Sequence, residues 1–66
     1  MDVVALAELL RETEEHHGIY EQTYAPDHWS DWYAAYLAAR QDGGTSEEAT
    51  AIADQYMTNV LHIVPL

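Results

Sequence analysis

The feature that most constrains this chain is an aromatic stripe in the segment from Pro26 to Gln41, which contains both tryptophans. On a helix, residues spaced i, i+3, i+4, i+7, i+8 and i+11 lie on one face. The segment fills these positions with Trp29, Trp32, Tyr33, Tyr36, Leu37 and Arg40. Four alanines between residues 34 and 39 occupy the other side. Because large rings fill a wide gap and alanines allow close approach, we predict a central helix over about residues 27–42, sandwiched between two others.

Two further helices follow from apolar periodicity. Residues 2–17 place Val3, Leu6, Ala7 and Leu10 on one face, with Leu9 beside it and glutamates opposite. We expect this helix to end near Gly18. A capping box of Thr45 and Glu48 precedes a third helix over about residues 46–61. Its predicted buried face consists of Ala49, Ile52, Ala53, Tyr56, Met57 and Val60. For the central helix, we expect Asp27 or Ser30 to be the N-cap.

The predicted fold class is all-α, a small three-helix bundle in which residues 1–66 form a single domain. A chain of 66 residues buries a small core, and it has no cysteine for a disulfide or a thiolate zinc site. Such a domain needs regular helix packing, an oxygen or imidazole metal site, or a partner. The apolar tail, residues 62–66, is expected to pack back on the bundle or to meet another chain. We therefore also expect a homodimer through the aromatic helix or this tail.

The charge balance restricts the partners. Twelve acids face only Arg11 and Arg40, which gives a formal net charge of -10. A phosphate backbone would be repelled, so we expect no direct nucleic-acid binding. A solubilising surface is one interpretation, and an acidic face for a cationic partner is another. No apolar run could span a bilayer, and Asp2 stands where a signal peptide carries positive charge, so we expect a cytoplasmic protein that contacts no membrane.

Aromatic and acidic residues occur together at the start of the central helix. A cationic, partly aromatic ligand would find stacking faces and carboxylates there. The candidate ligand-binding residues are Asp27, His28, Trp29, Asp31 and Trp32. The competing interpretation is that the aromatic residues are core. We expect Arg40, which lies on the same stripe, to pair with a glutamate of the first helix and to stack on Tyr33 or Tyr36.

Histidines and acids around the end of the first helix offer a metal-binding alternative. Glu14 and His17 have the i, i+3 spacing at which a carboxylate and an imidazole reach one metal ion. The candidate ligands are Glu14, His16, His17 and His28. However, helical two-metal proteins repeat this pair on a second helix, whereas here the pair occurs once, near the end of the first helix. The competing interpretation is that these histidines are solvated and interact with a helix end. We expect no cofactor.

Motifs of enzymatic chemistry are missing from the sequence. There is no nucleophile motif and no glycine-rich phosphate loop, and a turn explains Gly43 and Gly44. We therefore predict a non-enzymatic acidic binding or accessory module that acts through a protein partner or a cationic small molecule. The alternatives are the metal-binding protein and a DNA-mimicking inhibitor, which would require acids spaced along one surface like phosphates.

Several short motifs between residues 9 and 57 occur together in this chain. They are His16-His17-Gly18, Tyr20-Glu21, Ala25-Pro26, His28-Trp29-Ser30-Asp31-Trp32-Tyr33-Ala34-Ala35-Tyr36, Ala39-Arg40 and Thr45 to Ala49. With these motifs the chain resembles, over roughly residues 9–57, short bacterial proteins of unknown function, some labelled bleomycin-resistance or glyoxalase-related. Bleomycin-binding proteins of the glyoxalase fold are longer βαβββ dimers. The resemblance therefore implies a cationic, drug-like ligand but neither that fold nor its binding residues.

Overall fold

A computed structural model of the chain describes residues 2–25 and 28–65. These residues form three helices, α1 (Val3–Glu21), α2 (Trp29–Gln41) and α3 (Ser46–Asn59). No strand occurs in the ranges that the structure describes, and α2 packs against both α1 and α3. The predicted all-α bundle with a central aromatic helix is therefore confirmed.

Helix α1 is longer than predicted. It begins after Asp2, whose carboxylate accepts a hydrogen bond from the Ala5 N–H at 2.7 Å. It then continues through Gly18 to Glu21, so the predicted end near Gly18 is wrong. A glycine inside a helix costs about 1 kcal/mol. Burial of His17 and Tyr20 on either side of Gly18 offsets that cost, because both rings join the core.

The buried face of α1 also differs from the predicted one. Val3, Leu6 and Leu10 are exposed, whereas the buried residues are Thr13, His17 and Tyr20. Every ring contact between α1 and α2 is made by His16, His17 or Tyr20. Because the rings of α2 face the C-terminal half of α1, the aliphatic residues of its first turns have little to cover them. Helical periodicity gave the right element but the wrong face.

The N-cap of helix α2 is His28, in the left-handed region at φ 61°, and its side chain makes no capping hydrogen bond. Ser30 lies inside the helix, and Asp27, the other predicted cap, lies outside the described residues. The stripe is not continuously buried, since Trp32 is fully buried but Trp29 is 59% exposed. Gly43, at φ 96°, follows the end of the helix as predicted.

Helix α3 has the predicted capping box. The Thr45 hydroxyl accepts from the Glu48 N–H at 3.1 Å, and the Glu48 carboxylate accepts from the Thr45 N–H at 2.9 Å. Only part of its predicted face is buried. Ala49, Ala53 and Met57 are in the core, while three larger residues are exposed, namely Ile52, Tyr56 and Val60. The apolar face is therefore wider than the area that two neighbouring helices cover.

The C-terminal tail turns back on the bundle. His62 adopts a left-handed conformation at φ 58°, and the Ile63 N–H donates to the Met57 carbonyl at 3.0 Å. Leu61 and Ile63 then pack against the core. The first of the two predicted outcomes for the tail is thus observed as far as residue 63, while Leu66 lies outside the described residues. Among the three helices of residues 2–25 and 28–65, none combines the length and apolarity needed to cross a membrane.

Candidate functional site

An open groove runs between α2 and α3, with a volume of about 450 Å³. Alanines of α2 line one side, and Ile52 and Tyr56 of α3 line the other. Asp31 and Asp42 also belong to the lining. We call this feature the alanine groove, and define it by Asp31, Ala34, Ala38, Asp42, Ile52 and Tyr56.

The alanine groove exists because small side chains face a pair of large ones. Ala39 is buried against α3, whereas Ala34 and Ala38, one step further around α2, are exposed. A methyl group cannot fill the space beside Ile52 and Tyr56, which are 48% and 37% exposed. These two residues are four apart on α3 and so stand on one face. The result is an apolar channel along the surface of the bundle.

Charge in the alanine groove is confined to carboxylates. Asp31 lies in the first turn of α2 and Asp42 is its C-cap, eleven residues later, which corresponds to about 16 Å along a helix and to nearly the same face. Alanines lie between them. Neither lysine nor arginine belongs to the groove lining in the part of the chain that the structure describes. The groove is therefore apolar along its length and negative towards both ends.

The other side of α2 is closed by a polar network with α1. Arg40 binds Glu12 through Nε to Oε2 at 2.8 Å and through Nη2 to Oε1 at 3.2 Å. The Tyr36 hydroxyl donates to the same Oε2 at 2.6 Å, and Arg40 Nη1 donates to the Gly44 carbonyl at 2.9 Å. This confirms the predicted pairing of Arg40 with a glutamate of the first helix.

Ionisation at this network follows from its hydrogen bonds. The bonds from Arg40 and then from Tyr36 lower the pKa of Glu12 below its ordinary value. Burial, and then the bond to Glu12, raise the pKa of Tyr36 far above its usual range. Both groups therefore hold fixed protonation states at neutral pH, Glu12 charged and Tyr36 neutral. Arg40, one of the two basic residues, is thus engaged in an ion pair that joins two helices.

The structure separates the predicted ligand-binding residues. His28 and Trp29 are exposed, and His28 Nδ1 lies 3.8 Å from Asp31 Oδ2. Asp31 is half-buried and belongs to the alanine groove. Trp32 is fully buried, and its Nε1–H donates to Asp54 Oδ1 at 3.0 Å. The prediction that Trp32 contacts a ligand is therefore wrong, because the ring is core, and Asp27 lies outside the described residues.

The histidines of the metal-binding alternative face different neighbours. His16 stacks on Tyr36 with ring centroids 5.4 Å apart. His17 is buried, with Nδ1 2.7 Å from Glu21 Oε1, and its Nε2 has no hydrogen-bond partner among the described residues. The interpretation of His17 as a solvated residue is thus wrong. Glu14 is exposed, and residues 2–25 and 28–65 contain no group of three or more His, Asp or Glu placed to hold a metal ion.

Sequence reasoning missed most of the alanine groove. Ile52 and Tyr56 were expected in the core, and the alanines of α2 were expected against a neighbouring helix. Asp42 was not among the predicted site residues. A usable signal was present, because Asp31, Ala34, Ala35, Ala38 and Asp42 form an i, i+3, i+4, i+7, i+11 stripe of small residues flanked by acids.

Comparison with protein-family models, with curated proteins and with solved structures gave no match. The resemblance to short bacterial proteins labelled bleomycin-resistance or glyoxalase-related therefore stays a prediction.

Proposed function

We propose that this protein is a non-enzymatic, acidic binding module that acts in the cytoplasm by receiving a basic, amphipathic helix of a partner protein in the alanine groove. The observation that carries the proposal is the groove itself, an exposed apolar channel with a carboxylate towards each end.

The shape of the alanine groove suits a helix. Packed helices approach to 8–10 Å between axes, and small residues at the contact allow the shorter distances. A fourth helix lying along α2 and α3 would cover Ala34, Ala38, Ile52 and Tyr56 and complete a four-helix arrangement. Its apolar face would replace water over side chains that the bundle leaves exposed, and burial of this kind drives most protein association.

Charge argues for a basic partner rather than a second copy of the chain. Two copies would each carry a formal net charge of -10, and their mutual repulsion would oppose association at low salt. Two basic residues spaced about eleven positions apart on the partner helix could reach Asp31 and Asp42, since equal helical spacings match. Such rim pairs add specificity and association rate more than affinity. The homodimer stays an untested expectation.

The spacing of the groove carboxylates supports a binding role over catalysis. The paired carboxylates that act on one glycosidic bond stand about 5 to 9.5 Å apart, and those of aspartic proteases about 3 Å apart. Asp31 and Asp42 are about 16 Å apart along α2 by helical rise, so they would contact different parts of a long ligand. A helix of a partner protein is such a ligand.

A designed peptide tests the proposal. Its helix would carry an apolar stripe of leucine and alanine and two arginines eleven residues apart, and binding would be measured by titration calorimetry at two salt concentrations. The key variant is Ala38→Trp, which fills the alanine groove. Ala51→Trp is the matched control, because Ala51 is exposed on α3 and does not belong to the groove lining.

The expected result is that the wild type and Ala51→Trp bind the peptide equally, with weaker binding at the higher salt, while Ala38→Trp loses binding. Retained binding by Ala38→Trp, or equal binding of a peptide with the same composition in scrambled order, would overturn the proposal.

A further inference from the structure

A second, smaller pocket lies between the C-terminal half of α1 and α3, away from the alanine groove. Its volume is about 190 Å³. It is lined by residues that include His16, Tyr20, Tyr24, Thr50 and Asp54, none of which belongs to the groove. At about 30 Å³ per water, this space holds about six water-sized groups. It is too small for a drug-sized ligand or a peptide segment, and it suits a small molecule.

The carboxylate of Asp54 is the charged group of this pocket. Its Oδ1 accepts the indole N–H of the buried Trp32 at 3.0 Å, which fixes the orientation of the carboxylate. Its second oxygen, Oδ2, remains as an acceptor for another donor. Asp54 is half-buried, so its negative charge is less screened than that of a fully exposed acid.

The hydrogen bonds of Thr50 determine which nitrogen of His16 is an acceptor. The Thr50 hydroxyl donates its single proton to the Ser46 carbonyl at 2.8 Å. Its contact with His16 Nδ1 at 3.3 Å is then satisfied by a proton on Nδ1, because the hydroxyl has none left to give. In the neutral imidazole this tautomer leaves His16 Nε2 with a lone pair. In this tautomer His16 adds an acceptor to the carboxylate of Asp54.

Two stacked tyrosines supply an aromatic wall. The Tyr20 and Tyr24 rings are 4.4 Å apart and nearly parallel, at 7°. Burial, and then the nearby Tyr24 and Asp54, raise the pKa of Tyr20, so its hydroxyl stays neutral. That hydroxyl is buried without a hydrogen-bond partner in the described part of the chain. A cation near Asp54 is attracted by the charge of its carboxylate, and the buried Tyr20 and half-buried Tyr24 supply an aromatic side of the pocket.

We propose that this pocket binds a small primary ammonium compound. The ammonium group would donate to Asp54 Oδ2 and lie against the tyrosine wall, while its short alkyl chain occupies the apolar part of the pocket. An ammonium is a compact charge with three donors, which matches a small site rich in acceptors. The net charge of -10 favours cations near the protein surface. This inference is independent of the alanine groove and of its partner helix.

The test uses n-butylamine, with 1-butanol as the neutral molecule of nearly the same shape. Binding would be followed by chemical-shift changes of backbone amides in an isotope-labelled sample, in a constant background of potassium chloride. A five-heavy-atom ligand is expected to bind with a dissociation constant on the order of 1 mM. We expect saturable shifts around residues 16–24 and 50–54 with the amine and no saturable shifts with the alcohol.

Asp54→Asn is the decisive variant, because the amide oxygen can still accept from Trp32 while the charge is lost. We expect it to weaken amine binding by at least about ten-fold, since a hydrogen bond to a charged group is lost. Glu15→Gln removes one charge from an exposed position of α1 outside both pockets and should leave amine binding unchanged. Equal weakening by both variants, equal shifts from amine and alcohol, or saturation by potassium chloride alone would overturn the proposal. Thermal unfolding by circular dichroism checks that both variants fold.

Discussion

The two sides of α2 differ in how completely they are covered, although their residues come from one short segment. On the side towards α1, Trp32 and Tyr36 stack at 5.3 Å, and Arg40 ties Glu12 of α1 to the loop carbonyl of Gly44. On the other side, Ala34 and Ala38 leave an open channel beside Ile52 and Tyr56. Here the hydrogen-bonded rings of Trp32 and Tyr36 fill the space on one side, whereas methyl groups leave space on the other. The closed side maintains the fold, and the open side is available for binding.

Position on the helix, rather than residue type, decides what each aromatic does. Trp32 is fully buried, while Trp29, three residues earlier, is 59% exposed and contacts Tyr33 edge to face at 5.4 Å. The same residue type thus belongs to the core at one position and to the surface at the other.

The largest expected effect comes from the closed side. Trp32→Ala removes a fully buried ring and leaves Asp54 without its indole donor, so we expect a loss of about 3–5 kcal/mol in the free energy of unfolding. In a domain this small, such a loss leaves little folded protein. Trp29→Ala is the matched control and should cost less than about 1 kcal/mol. Urea unfolding followed by circular dichroism measures both, and equal losses would contradict the assignment of Trp32 to the core.

A smaller effect is expected where the two sides meet. Ala39→Leu inserts three carbons at a buried position of the core and should cost about 1–3 kcal/mol by overpacking. Ala38→Leu places the same side chain in the alanine groove, where there is room, so its free energy of unfolding should match that of the wild type within about 0.5 kcal/mol. Thermal unfolding of the two variants gives the comparison. A large loss for Ala38→Leu would show that the groove is closed in solution.

The polar network of the closed side predicts a pH dependence. Because the bond from Arg40 lowers the folded-state pKa of Glu12 below its ordinary value of 4.5, its stabilising contribution is present above about pH 4.5 and is lost as the pH falls through the lowered value. The wild type should therefore be more stable than Glu12→Gln at neutral pH, and this difference should shrink on acidification. Thermal unfolding at a series of pH values measures it. Glu14→Gln, at an exposed position of α1, is the control and should show no such change.

The smallest expected effects come from the acids of the open side, and they have opposite signs. Asp42 lies at the C-terminal end of α2, where a negative charge opposes the helix dipole, so Asp42→Asn should raise stability by about 0.3–1 kcal/mol. Asp31 lies in the first turn, where the dipole favours a negative charge, so Asp31→Asn should lower stability by a similar amount. Chemical unfolding at low salt resolves both. A stabilising Asp42→Asn that weakens binding of the designed peptide would indicate that Asp42 serves binding at the expense of stability.

Much of the architecture could be read from local patterns. The capping box at Thr45 and Glu48 and the glycine after α2 act within a few residues, so the sequence alone predicted the boundaries they set. The pairing of Arg40 was also predictable. Arg40 lies on the aromatic stripe, and in a chain with twelve acids and two basic residues a cation there is expected to pair with a carboxylate. The predicted end of α1 failed at Gly18, where burial of the neighbouring rings outweighed the local preference of glycine.

The candidate site was less predictable. Periodicity reports which residues share a face of a helix, but it does not report how much of that face a neighbour covers. For that reason Ile52, Tyr56 and the first-turn aliphatics of α1 were expected in the core and are exposed. The alanine groove depends on the relative placement of α2 and α3, which no local pattern encodes.

The sequence by itself determined that this protein is a small acidic helical bundle organised around its central aromatic helix. Spacing of apolar residues and capping groups is local information, and it suffices for elements and their order. Only the tertiary structure decided which tryptophan is core, which histidine is buried, and that the alanine side of α2 is left open. Those outcomes depend on contacts between residues that are distant in the chain. At each contact, the opposing side chains either fill the space between the helices or leave it open.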